Sequence, residues 1–199
     1  MAYRTDSVPL VPLASRAIPI RRTWLRVAVQ IVLGVAFLAA LAQVRVQIGP
    51  VPITGQTLGV LLIGAGYGAS MGLATVALYL LSGGLGLAIF SGGEAGWATL
   101  AGPTGGYLLG FPLAAALVGW LAQRGWDARP LATAAAMALG NVVIYTLGLA
   151  WLARFAPDLP TTLAWGLWPF LAGDAVKIAA AAALLPVAWR LLGGRSRSR

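Results

Sequence analysis

Residues 168–192 read Trp-Pro-Phe-Leu-Ala-Gly-Asp-Ala-Val-Lys-Ile-Ala-Ala-Ala-Ala-Ala-Leu-Leu-Pro-Val-Ala-Trp-Arg-Leu-Leu. The stretch is apolar almost throughout, and its length suits one helical crossing of a hydrocarbon core, which takes about 20 residues. Pro169 falls in the first turn, where proline is tolerated. Asp174 and Lys177 interrupt the apolar run. A spacing of three puts them on one face of the helix. An ionisable residue inside a membrane helix costs roughly 2.5 to 3.5 kcal/mol, so it is rarely placed there without a use. The pair can lock a bundle together or meet a polar ligand. Intramembrane charges mark functional sites as a rule, and the ligand reading is the stronger.

Five further apolar runs precede it: Trp24 to Gln43, Thr54 to Tyr67, Ser70 to Leu87, Thr104 to Leu121 and Leu131 to Leu152. Polar or turn-rich stretches separate them, at Arg45 to Pro52, Arg124 to Pro130 and Arg154 to Thr162. The second run is short, and only a few small residues divide it from the third, so a tight helical hairpin is expected. The glycine-dense stretch from Ser82 to Gly106 reads as a structured loop entering the fourth helix. The expected fold is an all-α polytopic membrane protein of six transmembrane helices. Its domain organisation is a cytoplasmic N-terminal arm (1–23), a six-helix transmembrane substrate-binding domain (24–192) and a basic C-terminal tail (193–199).

Composition agrees. Hydrophobic residues make up 59% and charged residues 10% of the 199, against about 25% charged in a soluble domain. That leaves too little polar surface to cover a water-facing globule. The net charge of +9 does not point to nucleic acid, because the arginines flank the apolar runs. With both termini cytoplasmic, the inside holds Arg4, Arg16, Arg21, Arg22, Arg26, Arg124, Arg129, Arg190, Arg195, Arg197 and Arg199, and the outside only Arg45 and Arg154. This is a positive-inside bias, and anionic lipid is the expected contact of these arginines. The residues before Trp24 contain Pro9, Pro12 and Pro19 and no long apolar core, which argues against a cleavable signal peptide.

There is no cysteine and no histidine, and the five carboxylates are scattered. Nucleophilic thiols, imidazole bases and metal clusters are therefore not expected, and few enzyme chemistries remain. No cofactor is expected either.

Other polar positions fall at the outer level of the bundle. Gly102-Pro103-Thr104-Gly105-Gly106-Tyr107 opens the fourth helix, where free backbone N–H groups attract carboxylate and glycines allow close approach. Thr54, Gln56 and Thr57 enter the second helix; Thr54 reads as a cap and Gln56 as a pocket candidate. Asn141 and Tyr145, four apart on the fifth helix, can face a ligand or bond a neighbouring helix, with the second reading slightly favoured for a buried amide. Glu94 reads as a solvated loop charge, with a lid over the pocket as the alternative. Ala28, Val32, Ala36 and Ala40 form a small-residue stripe on the first helix that permits close helix contact.

Taken in order, Pro50-Val51-Pro52-Ile53-Thr54, Gln56-Thr57-Leu58-Gly59-Val60, Leu78-Tyr79-Leu80-Leu81, the Gly-Pro-Thr-Gly-Gly-Tyr element at 102–107, Gly140-Asn141 with Ile144-Tyr145, and Trp168-Pro169-Phe170 with Gly173-Asp174 and Lys177 resemble the BioY family. These are biotin-specific S components of energy-coupling-factor transporters. The resemblance runs from about Trp24 to Leu192. Gly55 and Glu94 depart from the family pattern. The resemblance implies a plasma-membrane substrate-binding subunit that takes biotin from outside. It also implies docking on a transmembrane coupling subunit that carries two cytoplasmic ATPases. Gly105, Gly106, Tyr107, Asp174 and Lys177 match its ligand-contacting motifs, and Ala36 and Ala40 match its docking face. Biotin's ureido N–H groups suit Asp174, and Lys177 can donate to an oxygen. The alternative is a self-sufficient secondary carrier for a small carboxylated solute. Such carriers are marked by inverted repeats and broken helices, and no convincing repeat is visible.

Overall fold

The computed structural model describes residues 23–191. The expected arm and basic tail lie outside these residues, Thr23 apart. The chain is mostly helical. Helix α1 (Thr23–Gln43) leads into a two-residue ribbon in which β1 (Arg45–Val46) pairs antiparallel with β2 (Ile53–Thr54). Helices α2 (Gln56–Tyr67) and α3 (Ala69–Gly84) follow, turning at Gly68. Gly68 has φ +81°, a left-handed backbone that favours glycine. A loop with a 3₁₀ turn at Ser91–Gly93 and a short α4 (Trp97–Ala101) leads to α5 (Gly105–Gln123). Then come α6 (Pro130–Leu152), α7 (Leu159–Gly166) and α8 (Trp168–Leu191).

Among the described residues, four stretches are long and apolar enough to cross a membrane: Thr23–Gln43, Gly105–Gln123, Pro130–Leu152 and Leu159–Ala188. The apolar helices α2 and α3 are shorter, at 12 and 16 residues. At 1.5 Å per residue they reach only about 18 and 24 Å, against a hydrocarbon core of about 30 Å. The expected second helix began at Thr54. Instead Thr54 is held in the β-ribbon, so the chain before α2 is extended backbone rather than helix. The expected third helix ran to Leu87 but ends at Gly84, beyond which Gly86 takes φ +110°.

The stretch Arg154 to Thr162, expected as a plain break, contains the start of α7. Asp158 is the N-cap, its side chain accepting from the Thr161 N–H at 2.7 Å. Pro160 sits in the first turn. Residues read as breakers are start signals here.

Helix α5 is the most buried of the long helices and α1 the least. Small residues set this packing, as is usual between membrane helices. Gly119 of α5 lies against the backbone of Gly68 and Ala69, and Gly64 of α2 lies against the backbone of Ala115 on α5. A side chain at either position would drive the helices apart. Helix α1 packs through Gln30, Gly34, Leu38 and Ala42, a buried stripe with a period of four. Ala28, Val32, Ala36 and Ala40 are all exposed.

Candidate functional site

One end of the bundle gathers the C-terminal ends of α1, α3 and α6 and the N-terminal ends of α2, α5 and α8. A cavity of about 360 Å³ opens there, within the usual size of small-molecule sites. Its walls come from the ribbon (Pro50, Val51, Pro52), the loop after α3 (Phe90, Ser91, Glu94) and the inner faces of α2, α5, α6 and α8.

The polar floor is built on Lys177. Its ammonium donates to the Thr54 carbonyl at 2.9 Å, to Thr57 Oγ1 at 2.8 Å and to Asp174 Oδ1 at 2.9 Å. Asp174 is buried, with 4% of its surface exposed. The Thr57 hydroxyl donates to Asp174 Oδ1 at 3.4 Å, and the Tyr145 hydroxyl donates to Oδ2. All three ammonium hydrogens therefore have protein partners. What the cluster retains is acceptor capacity, on Asp174 Oδ2 and the Tyr145 oxygen. A buried ion pair survives only when further hydrogen bonds satisfy its remaining atoms, and the two threonine contacts and Tyr145 do this.

Aromatic rings form the wall above. Tyr107 stacks on Phe170 at 6.3 Å between centroids, and Tyr145 meets Phe170 edge-on at 6.4 Å. Tyr107 presents only its ring, since its hydroxyl donates to the Gly166 carbonyl at 2.9 Å. Gln56 lines the cavity but is engaged on both sides. Its Oε1 accepts from the Thr54 hydroxyl at 3.0 Å, and its Nε2 donates to the Tyr79 hydroxyl at 2.9 Å. Tyr79 in turn donates to the Ile89 carbonyl at 2.9 Å, tying α2 and α3 to the loop over the cavity. The Thr54 hydroxyl also accepts from the Gln56 N–H at 3.2 Å, which is the expected cap acting one residue before the N-cap Gly55.

The structure thus brings Lys177, Tyr145, Tyr107 and Gln56 to the cavity wall, with Asp174 buried behind them and bonded to Lys177 and Tyr145 rather than lining the cavity itself. Three expected site residues stand elsewhere. Gly105 and Gly106 do not line the cavity; they give room to the Leu100 carbonyl, the Leu147 carbonyl and Trp151, whose Nε1 donates to Gly102. Asn141 borders a separate small void beside Lys177 and Met137, and its buried Oδ1 has no hydrogen-bond partner. Thr57, Phe90, Ser91 and Phe170 belong to the site but were not among the expected residues. Phe170 was within reach of the sequence: it precedes Asp174 by four and Lys177 by seven, one helical face. No cluster of metal-ligating residues occurs among the described residues.

The profile of the BioY family matches residues 13–194. A probable biotin transporter BioY of Pyrococcus horikoshii is 38% identical over 151 residues, covering 76% of this chain and 88% of the relative. The biotin transporter BioY of Thermotoga maritima is 36% identical over 141 residues, covering 71% and 82%. The fold is similar to a solved structure of the S-component for biotin from an ECF-type ABC transporter, with a TM-score of 0.75 and 23% identity, over 89% of this chain and 96% of the other.

Proposed function

The chain belongs to the BioY family, and from that premise we propose that it is the biotin-binding membrane subunit of an ATP-driven importer. The observation that carries the reading is the unspent acceptor capacity of the Tyr145 oxygen, held by the buried Asp174 behind it, at the floor of an aromatic-walled cavity. Such a floor takes a head group rich in N–H donors. The ureido ring of biotin offers two, and its thiophane ring suits Tyr107 and Phe170. Gly105 and Gly106 then serve the site by packing.

Six crossings are proposed, made by α1, α2, α3, α5, α6 and α8, with the ribbon and loops completing the span where α2 and α3 fall short. The excess of arginine in the sequence supports an orientation in the cell membrane with both termini cytoplasmic, in which the cavity opens outward. The sequence holds no nucleotide-binding motif, so energy comes from a transmembrane coupling subunit and two ATPases. The exposed Ala36 and Ala40 on α1 offer a smooth face for that subunit.

A titration of the detergent-purified chain against a panel of vitamins tests this. Saturable binding of biotin, in preference to the others, is the expected result. Failure to bind biotin while the chain remains folded would overturn it.

A further inference from the structure

The charges around the cavity do not cancel. Lys177 and Asp174 form an ion pair at 2.9 Å and neutralise each other at the floor. Glu94, on the loop after α3, also lines the cavity. Among the described residues it forms no side-chain hydrogen bond and no ion pair. The guanidinium of Arg45, on β1, packs against Gly92, two residues before Glu94, without pairing with it. The Ser91 hydroxyl beside it is buried, has no partner and also lines the cavity.

Floor and rim lie at different depths. Lys177 is nine residues into α8, about 13 Å along the helix from its outer start. Glu94 belongs to the loop that joins the outer ends of α3 and α4. A ligand whose head lies on Tyr145 therefore extends its tail toward Ser91 and Glu94, with Arg45 beyond them against Gly92.

We propose that Glu94 is a specificity-determining residue for the outer end of the ligand, favouring biotin amides with an ammonium-bearing tail over the free carboxylate. This rests on the proposed biotin site. An anionic tail meets an unpaired carboxylate at the rim, whereas an ammonium tail gains one. Arg45 acts in the opposite sense and supports the carboxylate. Because Glu94 is exposed, water and salt screen the effect, and its size is that of a surface ion pair, up to about fivefold in affinity.

The test titrates three probes, biotin, its primary amide and its amide with a diamine, against the full chain and the Glu94→Gln and Arg45→Gln variants in detergent. The expected result is a diamine-amide to biotin affinity ratio that falls twofold to fivefold in Glu94→Gln and rises in Arg45→Gln, with the primary amide least affected and the differences shrinking in high salt. Biotin binding with a ratio unchanged by Glu94→Gln overturns the role of Glu94 and leaves the biotin site standing. Binding of none of the probes overturns both.

Discussion

The Lys177 ammonium donates to the backbone carbonyl of Thr54, 123 residues earlier in the chain, at 2.9 Å. This bond joins the middle of α8 to the last extended residues before α2. It explains how a helix of only 12 residues can begin well inside the bundle: the polar backbone exposed by its late start is met by a partly buried cation. The same contact makes the ion pair part of the architecture as well as of the site.

Removing one charge should therefore harm both stability and binding. Lys177→Met leaves Asp174 buried without its partner, and a loss of about 3–5 kcal/mol is expected for breaking such a pair. Adding Asp174→Leu should recover much of that stability while biotin binding stays abolished. Thermal unfolding in detergent, run beside a biotin titration, checks both. A double variant that binds biotin normally would remove the pair from the site.

Tyr145→Phe deletes a single hydroxyl that donates to Asp174. The lost oxygen would accept from the ligand head, and a neutral hydrogen bond contributes about 0.5–1.5 kcal/mol, so biotin affinity should fall about twofold to tenfold. Calorimetric titration reads this directly, and an unchanged dissociation constant would place the ligand head elsewhere.

Tyr79→Phe cuts the link from Gln56 to the Ile89 carbonyl and leaves that carbonyl without its donor. The loop from Leu85 to Gly96 should then open more often. Faster amide exchange across residues 89–94, with exchange in α5 unchanged, is the expected signature. Equal protection in both proteins would show that the loop is held by other contacts.

Ala36→Trp together with Ala40→Trp should leave biotin binding intact, because both positions are exposed on the side of α1 away from the cavity-bearing core. ATP-driven uptake in vesicles carrying the partner subunits should be lost. Normal uptake by the variant would move the docking face off this stripe.

Much of the fold is legible in the sequence because membrane embedding is a property of composition and run length. The long apolar runs at Trp24, Leu131 and Trp168 became α1, α6 and α8 with ends within a residue or two. The ribbon at Arg45–Val46 and Ile53–Thr54 was not legible, since two residues carry no alternation to read. Helix α7 was missed because Asp158 and Pro160 signal a stop and a start equally well. In the site, the glycines at 105 and 106 carried a strong motif, yet close approach by a ligand and close approach by Trp151 demand the same missing side chain. The motif cannot say which one comes near.

By itself, the sequence determined that the protein lives in a membrane and that Asp174 and Lys177 share one helical face; that they pair with each other is a finding of the structure. A charge-poor surface excludes water, and residues three apart meet on any helix without help from the rest of the chain. Only the tertiary structure decided what surrounds that pair. Thr57 and Tyr145 reach Asp174 across separations of 117 and 29 residues, and those meetings depend on how the helices cross. The crossings are set by where small residues such as Gly64 and Gly119 let one backbone close on another. The sum of those local approaches, and not any one motif, opens the cavity above Lys177.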